Sequence, residues 1–146
     1  TSAHRTDEIR DYVAYLNRLH AALCRDGGPQ QTHVLGFSQG AATACRWVAQ
    51  TPAAIDRLTL WAGGLPPDLD LAARADRFRT LDLTLVLGTD DPHIEMNQLN
   101  ALEQKLDAHN ISSISHTFDG GHRLHRATLQ RLAKESSPPS RIQEGE

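Results

Sequence analysis

The sequence predicts an α/β fold in which a parallel sheet of about four strands is flanked by helices. Helical and strand patterns alternate along the chain, as one opening helix followed by four strand–helix units. Residues 81–87 are almost continuously apolar, which is typical of a parallel strand that is buried on both faces. A serine between two glycines, in Gly36–Gly40, stands where an apolar run gives way to a helical pattern of small residues. Strands joined through helices favour one parallel sheet with right-handed crossovers.

The first elements in chain order are a helix, a strand and a second helix. Asp7 to Arg25 is an amphipathic pattern with Thr6 as a suitable N-cap, and Asp26-Gly27-Gly28-Pro29 ends that helix. A strand is predicted over Thr32 to Phe37, and a helix of small residues over Gln39 to Gln50. The first helix has its apolar face at Ile9, Tyr12, Val13, Leu16, Leu19 and Leu23.

The middle of the chain contains two predicted strands around a short helix. Ile55 to Ala62 and Leu81 to Leu87 are the strand candidates, and Leu69 to Phe78 is the helix between them. Glycine and proline follow each strand, at 63–67 and at 88–92, and are expected to form loops.

The last part of the chain is predicted to form a helix, an edge strand and a final helix. Ile94 to His109 is the helix, with Leu99, Leu102 and Leu106 facing inward. Ile111 to Phe118 alternates Ile114, His116 and Phe118 with serines and a threonine, as an edge strand with one wetter face does. His122 to Ala133 is the final helix.

The composition limits the domain count and the classes of partner. A chain of 146 residues is long enough for one domain, which we expect over 1–135, followed by a disordered polar tail over 136–146. A net charge of −3 without a basic cluster argues against nucleic acid. No apolar run is long enough to span a membrane and no signal peptide is apparent, so we expect a cytoplasmic protein. Cys24 and Cys45 fit neither a metal spacing nor a disulfide framework.

The Gly-x-Ser-x-Gly pattern at 36–40 is that of a nucleophile elbow. In such a strained turn, the serine hydroxyl is exposed at the C-terminal edge of the sheet. We expect Gly36 and Gly40 to keep side chains away from the crowded strand and helix backbones. The helix that starts near Gln39 points free N–H groups at the charge that forms when Ser38 attacks a carbonyl. The alternative is an ordinary strand–helix turn with a solvated Ser38.

Partners for Ser38 fall at the carboxyl ends of two other predicted strands, where ligands bind in parallel α/β sheets. Asp90 and Asp91 follow the third strand, and His122 follows the fourth. A nucleophilic serine needs a base, and a histidine base needs a carboxylate to fix its tautomer. The chain order of serine, acid and histidine is that of α/β-hydrolases.

Each of these partners has a structural alternative. Asp91 precedes a proline at a helix start, where an aspartate commonly acts as a cap, and Asp90 is the second candidate for the acid. His122 is alternatively the first residue of a helix, and His125 is expected one turn into that helix, on the surface. The other histidines show no metal-ligand pattern and are interpreted as structural or exposed: His4, His20, His33, His93, His109 and His116.

Four segments carry a more specific pattern: Leu35-Gly36-Phe37-Ser38-Gln39-Gly40, Trp61-Ala62-Gly63-Gly64-Leu65-Pro66, Leu87-Gly88-Thr89-Asp90-Asp91-Pro92 and Asp119-Gly120-Gly121-His122. Between about residue 7 and residue 135, the chain resembles the phospholipase/carboxylesterase family of α/β-hydrolases, which includes acyl-protein thioesterase-like enzymes. The resemblance implies that Ser38 is the nucleophile, Asp91 the acid and His122 the base. It also implies that the backbone N–H of Gln39 is one oxyanion donor. No metal, nucleotide or flavin motif appears in the sequence, so no cofactor or metal is expected.

The family has features that this sequence lacks. Its members carry further strands before the helix that opens this chain, and an early His-Gly-x-Gly-type loop supplies the second oxyanion donor. No such loop occurs here, so the resemblance implies the C-terminal part of the fold and an N-terminally incomplete chain. It also implies an unpaired edge on the strand before Ser38, which favours self-association.

The sequence thus predicts a serine esterase that hydrolyses carboxylic esters, thioesters or lysophospholipids through an acyl-enzyme. Its expected partner is a small-molecule ester. One alternative is a non-catalytic or inactive module of the same fold that works by binding, in which the three side chains would not converge. Another is a peptidase or lactonase that uses the same residues.

Overall fold

A computed structural model describes residues 2–25 and 31–135 of the chain. An opening helix is followed by four strand–helix pairs, as the sequence predicts. The helices are α1 (Ser2–Leu23), α2 (Gln39–Gln50), α3 (Leu71–Arg79), α4 (Met96–Ala108) and α5 (Arg126–Glu135), and the strands are β1 (His33–Phe37), β2 (Arg57–Trp61), β3 (Asp82–Gly88) and β4 (Ser113–Phe118). The predicted tail at 136–146 lies outside the described residues.

The four strands form one sheet in the order β1-β2-β3-β4, with every neighbouring pair parallel. This confirms the predicted sheet. Because the strands are parallel, their carboxyl ends lie at the same end of the sheet, where the loops after β1, β3 and β4 begin. In this sheet β1 pairs with β2 alone and β4 with β3 alone, so the strand that leads to Ser38 is at an edge.

Helices cover the two faces of the sheet unequally. Leucines of β2 and β3, such as Leu60 and Leu85, pack in one core with buried side chains of α1, α2, α3 and α4. The opposite face holds Trp61, Val86 and Phe118, which pack with Leu132 of α5. This two-sided burial explains why β2 and β3 read as almost continuous apolar runs.

Buried polar contacts fix α1 against α2. Asn17 Oδ1 accepts hydrogen bonds from Trp47 Nε1 at 2.8 Å and from Thr51 Oγ1 at 2.7 Å. Arg46, which is 8% exposed, donates to Asp68 at 2.6 Å and to the Tyr12 hydroxyl at 3.3 Å. The hydrogen bond from Arg46 holds the pKa of Asp68 below its ordinary value. These contacts compensate the cost of burying the Arg46 guanidinium within α2.

Three sequence expectations differ from the structure. The first helix begins at Ser2, so Thr6 lies inside it and is not its N-cap. The last helix begins at Arg126, so His122 and His125 lie in the loop before it. Ile114 is 64% exposed, although it was expected on the drier face of β4.

The two cysteines are unpaired and differ in burial. Cys24 follows the last residue of α1 and is half-buried, whereas Cys45 in α2 is completely buried. Burial raises the pKa of the Cys45 thiol to about 12, so this cysteine behaves as a small core residue. Among the residues that the structure describes, no helix is long and apolar enough to cross a membrane.

Candidate active site

Ser38 lies in strained backbone between β1 and α2. Its φ of 57° and ψ of −119° are unusual for a residue with a side chain. The Ser38 N–H donates to the Trp61 carbonyl at 2.8 Å, and the Ser38 carbonyl accepts from the Ala41 N–H at 3.0 Å. The turn is therefore held from both sides, by β2 and by the first turn of α2.

Close backbone contacts around this turn require glycine at two positions. A Cβ on Gly36 would lie 2.4 Å from the Gly40 carbonyl oxygen, and one on Gly63 would lie 2.4 Å from the Ser38 carbonyl oxygen. A Cβ on Gly40, in contrast, would meet nothing within 4 Å. The expectation for Gly36 is confirmed, and the expectation that Gly40 is needed for close packing is wrong.

The loops after β3 and β4 are joined to each other. The Thr89 N–H donates to the Phe118 carbonyl and the Asp90 N–H donates to the Gly120 carbonyl, both at 2.9 Å. A Cβ on Gly88 would lie 2.4 Å from the Gly120 oxygen, so the two loops touch at a point where no side chain fits. These contacts set the spacing between the Asp91 loop and the His122 loop.

The side chains of Ser38, His122 and Asp91 converge in one line of hydrogen bonds. His122 Nε2 lies 3.0 Å from Ser38 Oγ, and His122 Nδ1 lies 2.8 Å from Asp91 Oδ2. The three residues come from three loops at the carboxyl ends of the strands. Ser38 lies 84 positions before His122 in the sequence, and Asp91 lies 31 positions before it. The structure thus brings together the three side chains that the sequence singled out, whereas the binding-only alternative predicted that they would not converge.

The environment of Asp91 favours a charged carboxylate. Burial alone raises its pKa, but the hydrogen bond from His122 and the backbone N–H groups of His93 and Ile94 outweigh that effect and lower the pKa below its ordinary value. The N–H groups bind Oδ1 at 2.8 and 3.3 Å, and the side chain is fully buried. An ionised carboxylate only accepts hydrogen bonds, so His122 Nδ1 carries the proton and Nε2 faces the Ser38 hydroxyl as an acceptor.

Asp90, the second candidate for the acid, does not reach His122. Its side chain is exposed, and no described residue forms a hydrogen bond with its carboxylate. The N-cap position of α4 is occupied by Glu95, and the backbone N–H of Glu95 donates to Gln98 Oε1 at 2.8 Å. Asp91 therefore organises the turn before α4 without capping the helix itself.

Two aromatic rings pack on His122 and were not found from the sequence. The His93 ring meets it edge-on with centroids 4.7 Å apart, and the Phe37 ring lies at 5.1 Å. His93 is exposed, in agreement with the sequence analysis, but its contact with His122 was not predicted; its position two residues after Asp91 is the available signal. His125 is half-buried where a surface position was expected, because it stacks on Phe118 at 4.7 Å and lies 2.8 Å from Thr128 Oγ1.

The candidate oxyanion donor opens onto a cavity. Gln39 is the first residue of α2, and among residues 2–25 and 31–135 no acceptor binds its backbone N–H. Ser38 and Gln39 both line a cavity of about 460 Å³, whose walls also include Arg46, Gly64 and Leu65. Across the same described ranges, no group of three or more metal-ligating side chains occurs.

The sequence of this chain matches the model of a known protein family. Residues 1–143 match the family model of the α/β hydrolase fold. The chain belongs to the α/β-hydrolase fold family. Comparison with curated protein sequences gave no match.

Solved structures show where this α/β-hydrolase-fold chain fits within larger relatives. Acyl-protein thioesterase 2 of Zea mays is 21% identical with a TM-score of 0.72, and the match covers 89% of this chain and 64% of that one. SOBER1 of Arabidopsis thaliana is 17% identical with a TM-score of 0.71, covering 86% and 61%. A Bacillus cereus carboxylesterase is 19% identical with a TM-score of 0.63, covering 89% and 61%. The chain thus shares the fold of these proteins and spans less than two thirds of their length.

Proposed function

We propose that this chain carries the active site of a serine hydrolase that cleaves carboxylic esters or thioesters through an acyl-enzyme. The observation that supports this proposal best is the hydrogen-bonded line from the buried Asp91 through His122 to Ser38. A line of this kind converts a weakly nucleophilic hydroxyl into one with a base at hand. The strained backbone of Ser38 is a second support, since strain of this sort is concentrated at functional sites.

The proposed reaction proceeds in two halves. Ser38 Oγ attacks the carbonyl carbon while His122 Nε2 accepts the hydroxyl proton, and Asp91 stabilises the imidazolium that forms. The alcohol or thiol then leaves with that proton, which leaves the acyl group on Ser38. Water then attacks the acyl carbonyl while His122 Nε2 accepts its proton, and His122 passes that proton to Ser38 Oγ as the acyl–Oγ bond breaks and the carboxylic acid leaves.

The Gln39 N–H is the proposed donor to the oxyanion. Removal of one donor from an oxyanion hole costs a factor of roughly 10²–10³ in kcat. The second donor of the resembling family lies in a loop that this sequence does not contain, so we expect slow turnover by the chain alone. Covalent labelling of Ser38 is a more sensitive test than turnover, because each molecule needs to react only once and the labelled protein accumulates with time.

A fluorophosphonate probe tests the nucleophile directly. We expect the probe to label the chain once, at Ser38, as identified by mass spectrometry of the labelled peptide. Ser38→Ala should abolish labelling, and Ser113→Ala, a serine on β4, should leave it unchanged. Labelling that persists in Ser38→Ala, or its absence from the unaltered chain, would reject the proposal.

The names of the similar structures favour the ester class over the peptidase alternative, but one of them, a putative dienelactone hydrolase of Klebsiella pneumoniae, keeps the lactonase alternative open. Those names include an acyl-protein thioesterase and a carboxylesterase. Matched p-nitrophenyl esters, thioesters, lactones and peptides would separate the classes by their relative kcat/KM. Faster cleavage of a peptide or lactone than of any ester would replace the proposed class.

A further inference from the structure

His93 contacts the candidate base but has no part in the reaction proposed above. Its ring meets the His122 ring edge-on, with centroids 4.7 Å apart and an angle of 73° between the ring planes. Two aromatic rings favour such edge-to-face geometry, because the positive edge of one ring lies against the negative face of the other. The contact is therefore attractive, and it favours one orientation of the His122 ring.

The candidate acid fixes the backbone of His93. The His93 N–H donates to Asp91 Oδ1 at 2.8 Å, which closes a turn of the kind in which an aspartate binds the backbone two residues further on. Pro92 lies within that turn, and its ring restricts the backbone angle φ. His93 thus touches both partners of Ser38, since its main chain binds the acid and its side chain packs on the base.

The His93 ring also covers part of the base against water. A second ring, that of Phe37 at the end of β1, contacts His122 with centroids 5.1 Å apart, and Phe37 is half-buried. His93, in contrast, is exposed, whereas the His122 side chain is 21% exposed and the Asp91 side chain is fully buried. An exposed ring in contact with a half-buried one removes part of that ring from solvent, so His93 forms the outer side of the site.

We propose that His93 is a positioning residue, whose ring holds the His122 ring at the angle that keeps Nδ1 on Asp91 and Nε2 on Ser38. This role rests on the proposed function, since it takes His122 as the base of the reaction. An imidazole that rotates about its side-chain bonds loses one or both hydrogen bonds, and misplacement of a reacting group by about 1 Å can cost about 100-fold in rate. The ring itself is the required feature, so a phenyl ring should serve equally well.

Two substitutions separate the ring of His93 from its nitrogen atoms, and both keep the backbone N–H that binds Asp91. His93→Ala should lower the rate constant of fluorophosphonate labelling at Ser38 by about twofold to tenfold, the equivalent of one aromatic contact. His93→Phe should restore the rate of the unaltered chain. The loss should lie in the limiting rate at saturating probe and not in the probe concentration that gives half that rate, because the base is disturbed and not the probe site.

His33→Ala is the matched control. It removes an exposed histidine from the first residue of β1, at the opposite end of the strand that leads to Ser38, and should leave the labelling rate unchanged. Equal rates in His93→Ala and the unaltered chain, equally slow labelling in His93→Ala and His93→Phe, or an equal loss in the control would overturn the proposed role. Urea unfolding of all four chains separates slower labelling from a general loss of stability.

NMR spectra of the His122 ring test the same role without any reaction. In the unaltered chain and in His93→Phe, we expect a downfield signal of the Nδ1 proton that is hydrogen-bonded to Asp91. In His93→Ala, this signal should broaden through faster exchange with water. A chain that no fluorophosphonate labels would reject the proposed function. The NMR signal would then decide the role of His93 alone, and an unchanged signal in His93→Ala would overturn it.

Discussion

Asp91 carries out two tasks because its carboxylate has two oxygens. Oδ1 accepts the N–H groups of His93 and Ile94 and so fixes the turn, while Oδ2 is left for His122. The sequence allowed this residue to be a helix cap, the acid, or both. The structure shows that Asp91 organises the turn before α4 without capping the helix, and that this turn directs Oδ2 toward His122.

The substitution Asp91→Asn separates the charge of this residue from its volume. The amide still accepts the backbone N–H groups, but its NH₂ group faces His122 Nδ1 and favours the tautomer with the proton on Nε2. That tautomer cannot accept the Ser38 proton, so we expect the labelling rate at Ser38 to fall by roughly 10⁴-fold. Stopped-time fluorophosphonate labelling measures the rate.

Asp90→Asn is the control for Asp91→Asn, because Asp90 is adjacent, exposed and not bonded to His122. It should change the labelling rate less than twofold. A large effect of Asp90→Asn with a small effect of Asp91→Asn would reassign the acid.

The lowered pKa of Asp91 also predicts how stability depends on pH. Its carboxyl binds a proton less readily in the folded chain than in the unfolded chain, where the ordinary value is about 3.9. The stabilisation is therefore present above that value and is lost as the pH falls through the folded-state pKa. In urea unfolding between pH 7 and pH 3, Asp91→Asn should flatten the decline of the unfolding free energy below about pH 4. An unchanged slope would contradict the assignment of this pKa shift.

At the residue scale, the sequence predicted what motifs encode and missed what only packing decides. Ser38, Asp91 and His122 stand at glycine-rich strand ends, a signal that local sequence carries. The ring of His93 beside His122 and the stacking of His125 on Phe118 depend on how two loops meet. No spacing along the chain contains that information.

At the scale of elements, backbone contact between loops and helices positions the site. Gly36 of β1 lies against the start of α2, and Gly63 after β2 lies against Ser38. Strand, turn and helix can approach this closely only where no Cβ intervenes. The strained φ of Ser38 is thus imposed by its neighbours on both sides.

Gly36→Ala and Gly40→Ala form a matched pair that tests this packing. The new methyl at position 36 would overlap the Gly40 carbonyl and should destabilise the fold by about 1–3 kcal/mol. The same change at position 40 meets open space within a helix and should be neutral or stabilising by up to about 1 kcal/mol. Urea unfolding of both variants gives the two values, and equal losses would show that the close contact has no energetic role.

Element types were predictable from periodicity, and element ends were less so. All five helices and four strands occur where the patterns placed them, and α2 has the predicted bounds. The last helix starts at Arg126 and not at His122 because the residues before it contact β2 and β4: Trp61 Nε1 donates to the Arg123 carbonyl, and His125 stacks on Phe118. Tertiary contact decides such ends, and a single sequence does not report it.

At the scale of the whole molecule, the order β1-β2-β3-β4 leaves the elbow strand at an edge. The alternation of strands and helices was enough to predict a parallel sheet, and the resemblance to a known family implied the free edge. Leu35 on β1 is 44% exposed, and an apolar groove lined by Val34, Leu129 and Leu132 runs beside it. An exposed edge of this kind pairs readily with another strand.

We therefore predict that the chain self-associates through β1 at micromolar to millimolar concentrations. Leu35→Lys places a charge on this edge, as natural edge strands do, and should shift the sedimentation coefficient toward that of the monomer. Ile114→Lys is the control, since Ile114 is 64% exposed on β4 at the opposite edge of the same sheet. Sedimentation velocity of both variants over a concentration series shows which of the two substitutions dissociates the chains. A monomer at every concentration would exclude self-association. If Ile114→Lys alone dissociated the chains, the contact would lie on β4 and not on β1, the strand that leads to Ser38.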